Sequence, residues 1–135
     1  MKTMYYVIGL LLISSVFYSF TNYQAKPWVV PEKNAKMTNP VKADAEALKI
    51  GKELWTKHCQ SCHGKTGLGD GSKAAQLETA MDDISGAQVQ SQSDGSLFYK
   101  ISEGRDEMPS FKKKVPESED LWAVVLYMRT LKASK

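Results

Sequence analysis

Residues 59–63 read Cys59-Gln60-Ser61-Cys62-His63. No other feature of the chain restricts its fold as much. Two thiols two residues apart can each add to one of the two vinyl groups on a single porphyrin edge. The imidazole that follows then lies directly beneath the iron. A Cys-x-x-Cys-His run is therefore an attachment site for covalent haem c. These are the only cysteines among the 135 residues, so no other thiol competes for the role. A chain that closes around so large a flat apolar group must be built as a shell about it. Two other uses of the motif fit less well. A thioredoxin-like redox pair belongs to a βαβ pattern, and this sequence contains no convincing strand. A structural zinc site needs four well-spread ligands, whereas His58, Cys59, Cys62 and His63 are too close in sequence to wrap one tetrahedral ion.

The N-terminus has the layout of an export signal. Lys2 supplies a positive start, and residues 4–20 are largely apolar, with no charge before Lys26. A span of about 20 uncharged residues can also cross a bilayer as a helix. The cleavage pattern is poor, with Ser19-Phe20-Thr21 the nearest match. Residues 1–22 are thus a cleaved signal or an uncleaved membrane anchor. Either places the protein outside the cytoplasm, in a periplasm-like compartment, where a thiol pair left without haem tends to form a disulfide. Residues 23–43 read as a linker interrupted by Pro27, Pro31 and Pro40, able to reach about 60 Å if extended. Trp28, Val29 and Val30 are unusual for a free linker and suit a domain surface or a membrane interface.

Residues 44–135 form one small domain, near the common size of roughly 100 residues. A core of that size is marginal, and a cofactor can supply much of its apolar centre. Without Lys2 the 17 basic and 15 acidic residues leave a formal +2, which two haem propionates would cancel. That balance gives no reason to expect nucleic acid as a partner.

Helical spacing of Ala45, Leu48, Gly51, Leu54 and Trp55 predicts a first helix over 44–58, running straight into Cys59. The glycines of 64–71 require a loop. Residues 72–77 suit a short helical turn and 78–93 a loop. A second helix is expected over 95–103, burying Leu97, Phe98 and Ile101. Residues 104–116 lack periodicity. A final helix starts at Ser118 as N-cap, with Glu119 and Asp120 in its first turn and Arg129 and Lys132 at its far end. The fold class is all-α.

The iron needs a second axial ligand if it is only to pass electrons. Met108, in Glu107-Met108-Pro109-Ser110-Phe111, is the best candidate, since it lies far along the chain in an unpatterned stretch. Met37, Met81 and Met128 are assigned to packing or to the surface. His/Met ligation raises the reduction potential and leaves no open coordination position.

With these residues in view, the chain resembles the small class I cytochromes c, above all exported bacterial ones. The resemblance covers 45–131. It rests on Gly51…Trp55…Cys59-Gln-Ser-Cys62-His63-Gly64, then Gly67-x-Gly69-Asp70-Gly71, then Ile101-Ser-Glu-Gly104-Arg105-Asp-Glu-Met108-Pro109-Ser-Phe111 with Leu121-Trp-Ala-Val-Val-Leu-Tyr127. It implies an all-helical fold around one haem. The first and last helices would cross at Gly51 and Trp55, opposite Val124 and Tyr127. It implies an electron carrier rather than an enzyme, working between membrane-bound redox proteins. A haem subunit domain of a respiratory complex is an alternative, as is a haem enzyme or gas sensor with a labile sixth ligand. Many relatives use a proline carbonyl to accept the ring N–H of the ligating histidine. This chain has no proline between His63 and Pro109, so a carbonyl in Leu68–Gly71 is the expected substitute. Lys112-Lys113-Lys114 could form a cationic rim for an acidic partner. Arg105 could pair with a haem propionate or with Asp106.

Overall fold

The computed structural model describes residues 27–133. Residues 4–20, read above as signal or anchor, lie outside them. No helix among the described residues is long and apolar enough to cross a membrane.

The helices are α1 (Glu32–Ala35), α2 (Ala45–Leu54), α3 (Gln60–His63), α4 (Ala87–Gln90), α5 (Asp94–Glu103) and α6 (Ser118–Thr130). A π-turn, Trp55–Cys59, joins α2 to α3, and a 3₁₀ turn spans Ala74–Gln76. The described residues contain no strand, only an isolated bridge between Arg105 and Met108. The expected all-α architecture is the one observed.

Local chemistry explains the element ends. Asp44 caps α2 by accepting the Ala47 N–H at 3.0 Å, which satisfies one of the orphan donors of the first turn. Ser93 does the same for α5 through the Ser96 N–H at 3.2 Å. At α6, Glu117 takes the cap position and makes no side-chain cap bond, so Ser118 is the first helical residue rather than the cap. The short helix α4 falls within 78–93, where a loop was expected. It is only four residues long, too short for periodicity to reveal it.

The centre of the fold is the crossing of α2 and α6. A Cβ built on Gly51 would come within 2.1 Å of the Ala123 carbonyl oxygen and 3.0 Å of the Tyr127 Cβ. Only a residue without a side chain lets the two backbones meet there. Trp55, one turn on, stands 6.0 Å from the Tyr127 ring, centroid to centroid. The expected crossing is present, with the Ala123 backbone as its tightest point. Trp55 and Val125 are the most deeply buried side chains, at 1% and 0% exposure. Around them α5 contributes Leu97 and Ile101, and α6 contributes Leu121, Trp122, Val124 and Met128. Phe98 stacks on Trp122 with centroids 4.0 Å apart.

From Pro27 on, the stretch expected to be a free linker is docked on the domain. Ser93 Oγ donates to the Ala35 carbonyl at 2.6 Å, and Asn39 Nδ2 donates to the Trp122 carbonyl at 3.1 Å. A Cβ on Gly95 would meet the Asn34 carbonyl oxygen at 2.1 Å, so the strap lies directly on the start of α5. Three prolines bar a long helix here but do not prevent docking of an extended strap.

Arg129 has a larger role than complementing a helix end. Its guanidinium bonds Asp94 Oδ1 at 2.6 and 2.9 Å, the Gln90 carbonyl at 3.0 Å and the Gln92 carbonyl at 2.6 Å. One side chain thereby ties the end of α6 to the α4–α5 junction.

Candidate functional site

Trp55, Cys59 and His63 follow one another at intervals of four and line the same cavity. In an ideal α-helix the third would stand roughly 80° round from the first. The wide π-turn between Trp55 and Cys59 takes up most of that drift. Insertions of this kind recur at functional sites. Past His63 the helix stops, and Trp55 Nε1 donates to the Gly64 carbonyl at 3.1 Å in a buried bond. That bond fixes the exit of the motif to the helix crossing.

The Leu68–Gly71 loop folds back under this helix end. Gly69 N–H donates to the His63 carbonyl at 2.9 Å, Gly71 N–H to Cys62 at 3.2 Å and Lys73 N–H to Ser61 at 2.8 Å. The loop thus offers donors to the last carbonyls of the helix, which need them. It does not offer a carbonyl to the imidazole, contrary to expectation. His63 Nδ1 is buried and has no hydrogen-bond partner among the described residues. The ring stands 5.8 Å from Trp55. Burial holds the imidazole below the ordinary histidine pKa, with the Asp82 carboxylate pulling the other way.

Met108 comes to the same cavity from the other end of the chain. Gly104 ends α5 at φ +69, where a Cβ would lie 2.5 Å from the Met108 carbonyl oxygen. Arg105 and Met108 then close a tight turn through two backbone bonds of 2.9 Å. The Glu107 carboxylate accepts from the Thr79 N–H at 2.8 Å and the Glu78 N–H at 3.2 Å. These bonds hold it ionised below the usual carboxylate pKa. The Met108 turn is therefore pinned on both sides.

The cavity encloses only about 70 Å³. Its inner wall is Trp55, Ile84, Val89, Leu97, Ile101, Val124 and Met128, and its polar end carries Asp82, Gln92 and Lys100. Cys59, His63 and Met108 all face it. Cys62 is partly buried but does not line it, and the two cysteines form no disulfide. Burial, with Cys62 alongside, pushes the Cys59 thiol up to about 12. Phe98 and Tyr127 pack against the core cluster, whereas Trp55, Leu97 and Val124 line the cavity. Trp28 lines it too, a contribution that the linker reading had placed on the domain surface or at a membrane.

These residues fit a haem. The cavity is lined mostly by apolar side chains, and a thiol, an imidazole and a thioether line it with them. Lys112, Lys113 and Lys114 are exposed and line no part of the cavity. Lys112 pairs with Glu103, and Lys114 lies 5.3 Å from the Phe111 ring centroid. His58 is half-buried, with its ring centroid 5.9 Å from that of Phe111. Arg105 pairs with Asp106 at 3.2 Å.

Residues 46–128 match the family described as "Cytochrome C oxidase, cbb3-type, subunit III". Among solved structures, the chain is similar to the "KustC0563 c-type cytochrome". The identity is 30% and the TM-score 0.53, and the match covers 62% of this chain and 98% of that one. It is also similar in fold to a chain of the "Kuenenia stuttgartiensis reducing HAO-like protein complex Kustc0457/Kustc0458". There the identity is 21% and the TM-score 0.60, over 85% of this chain and 54% of that one. No curated protein matches. A covalent-haem motif opening on an apolar cavity, beneath a glycine-mediated helix crossing, agrees with that match across more than half the sequence, and the chain belongs to this family: it is a class I c-type cytochrome that binds haem c covalently and serves haem-based electron transfer.

Proposed function

We infer that the protein is a single-haem electron carrier in which Cys59 and Cys62 form the thioethers and His63 and Met108 are the axial iron ligands. It passes electrons between membrane-bound redox proteins in the periplasm, with residues 4–20 as export signal or anchor. One observation carries this reading: His63 and Met108, distant in sequence, line one apolar cavity together with Cys59.

Haem c bound there supplies a one-electron iron couple. The chain does the rest. The two thiols hold the group in place. The His63 imidazole and the Met108 thioether would hold the iron, which would favour electron passage over ligand binding. Trp55, Leu97 and Val124 exclude water from the inner wall, which keeps solvent reorganisation small when the charge changes. The short Gly104–Met108 turn, held by Glu107, limits how far the thioether can withdraw.

Substitution of the ligands tests the assignment. Met108→Ala should retain covalent haem by intact mass, lower the potential by on the order of 0.2 V, and let the reduced protein bind carbon monoxide. An unaltered absorption spectrum and potential would remove Met108 from the iron. His63→Ala should block maturation or leave misligated haem, so a normal yield of spectrally normal holoprotein counts against His63. Rapid carbon monoxide binding by the reduced wild type would favour a site with a labile sixth ligand.

A further inference from the structure

The strap that begins at Pro27 brings an aromatic side chain to the haem cavity. Trp28 lines the inner apolar cavity and also the more polar outer hollow bounded by Thr79, Met81, Arg105 and Glu107. It therefore stands at the boundary between the apolar interior and the mouth. Two cations hold its ring. Lys100 Nζ lies 5.4 Å and the Arg105 guanidinium 4.6 Å from the ring centroid. Half-buried contacts of this kind are attractive. Lys100 is fixed in turn by Gln92 Oε1 at 2.7 Å. Further along, the strap is anchored at Ala35, Asn34 and Asn39, as described above.

We propose that Trp28 is a positioning residue of the redox site, a cover clamped by Lys100 and Arg105 that keeps water from the haem edge and so raises the reduction potential. This rests on the assignment of the cavity to haem. The sign follows from solvation. The oxidised site carries one more positive charge than the reduced site, and water at its edge stabilises that charge. Solvent exposure is among the main determinants of haem potential. The fixed charges at the mouth do not predict this effect. Lys100 and Arg105 are opposed there by Asp82, Asp106 and Glu107, so uncovering them has no single electrostatic sign. Exclusion of water is the contribution specific to the indole.

The test uses the full-length, haem-loaded protein and three variants: Trp28→Ala, Trp28→Phe and Trp28→Gln. Intact mass and the absorption spectrum first establish covalent haem and unchanged ligation. The equilibrium with a reference redox couple is then measured beside thermal unfolding. Trp28→Ala should shift that equilibrium toward the oxidised protein by on the order of threefold or more, since solvent access is among the determinants of haem potential. Trp28→Phe, which keeps a ring between the cations, should recover most of the shift. If Trp28→Ala yields no holoprotein, Trp28→Gln takes its place with the same expectation. A potential that stays at the wild-type value in the alanine or glutamine variant overturns the proposal, even if the unfolding temperature falls. Equal shifts in the phenylalanine and alanine variants overturn it as well, since the ring would then be irrelevant. Wild-type protein without a haem mass increment overturns the haem assignment itself, and is told apart by the first measurement.

Discussion

Trp55 links the haem motif to the helix crossing. Its ring faces His63 on one side and Tyr127 on the other, and its N–H bonds the Gly64 carbonyl. Replacing it with phenylalanine keeps most of the apolar volume and leaves that carbonyl buried without its donor. Loss of a buried partner costs about 1–3 kcal/mol. Trp55→Phe should therefore lower stability by about 2 kcal/mol in denaturant titration, with haem still attached. A loss below roughly 0.5 kcal/mol would mean that water replaces the indole N–H. The residue scale is also where sequence reasoning was most complete. Cys59, Cys62, His63 and Met108 were named from motif chemistry and position; Cys59, His63 and Met108 line one cavity, and Cys62 does not. Trp28 was noticed as odd but not tied to the cavity, because a cation–π contact between residues more than seventy positions apart leaves no local pattern.

Two of the contacts between helices can be tested at the element scale. Gly51 permits the approach of α2 to α6. Gly51→Ala forces a methyl group onto the Ala123 carbonyl, and the helices must separate. Overpacking costs about 1–3 kcal/mol, partly offset by the better helix propensity of alanine. A measured destabilisation of about 1–2 kcal/mol is expected, whereas an unchanged midpoint would show that the crossing can slide. Arg129 holds the end of α6 to Asp94 and to the carbonyls of Gln90 and Gln92. Arg129→Met keeps the aliphatic stem and removes all the donors. Unfolding should become easier by about 2–3 kcal/mol, since hydrogen bonds to charged groups are the stronger class. Hydrogen exchange should show α4 losing protection first, being short and held largely by this clamp and by Gln90 Nε2, which bonds the Ile84 and Met128 carbonyls. Equal protection of α4 in both proteins would argue against the clamp. Helices α2, α5 and α6 were legible because 10–13 residues carry enough apolar repeats. Helix α4 and the π-turn were not, as each is too short to set up a period.

For the molecule as a whole, the cavity makes the cofactor part of the core. Without haem, the apolar side chains that line the cavity lose contacts on that side. Protein expressed without haem attachment should show reduced helical circular dichroism and a broad unfolding transition, as expected of a small domain lacking part of its interior. Apoprotein with full helicity and a sharp, unshifted transition would mean that the shell stands alone.

The covalent-haem chemistry is legible in local residues. Thiol spacing, one adjacent imidazole and a glycine before an aromatic are local facts, and local facts survive in a string of letters. The tertiary structure decided what lies next to what across long separations. It docked the prolyl strap instead of leaving it free, turned the loop after His63 so that its N–H groups rather than its carbonyls meet the helix end, and gave Arg129 three partners outside its own helix. Each of these depends on two chain segments meeting in space, and no periodicity or motif in either segment alone encodes that meeting.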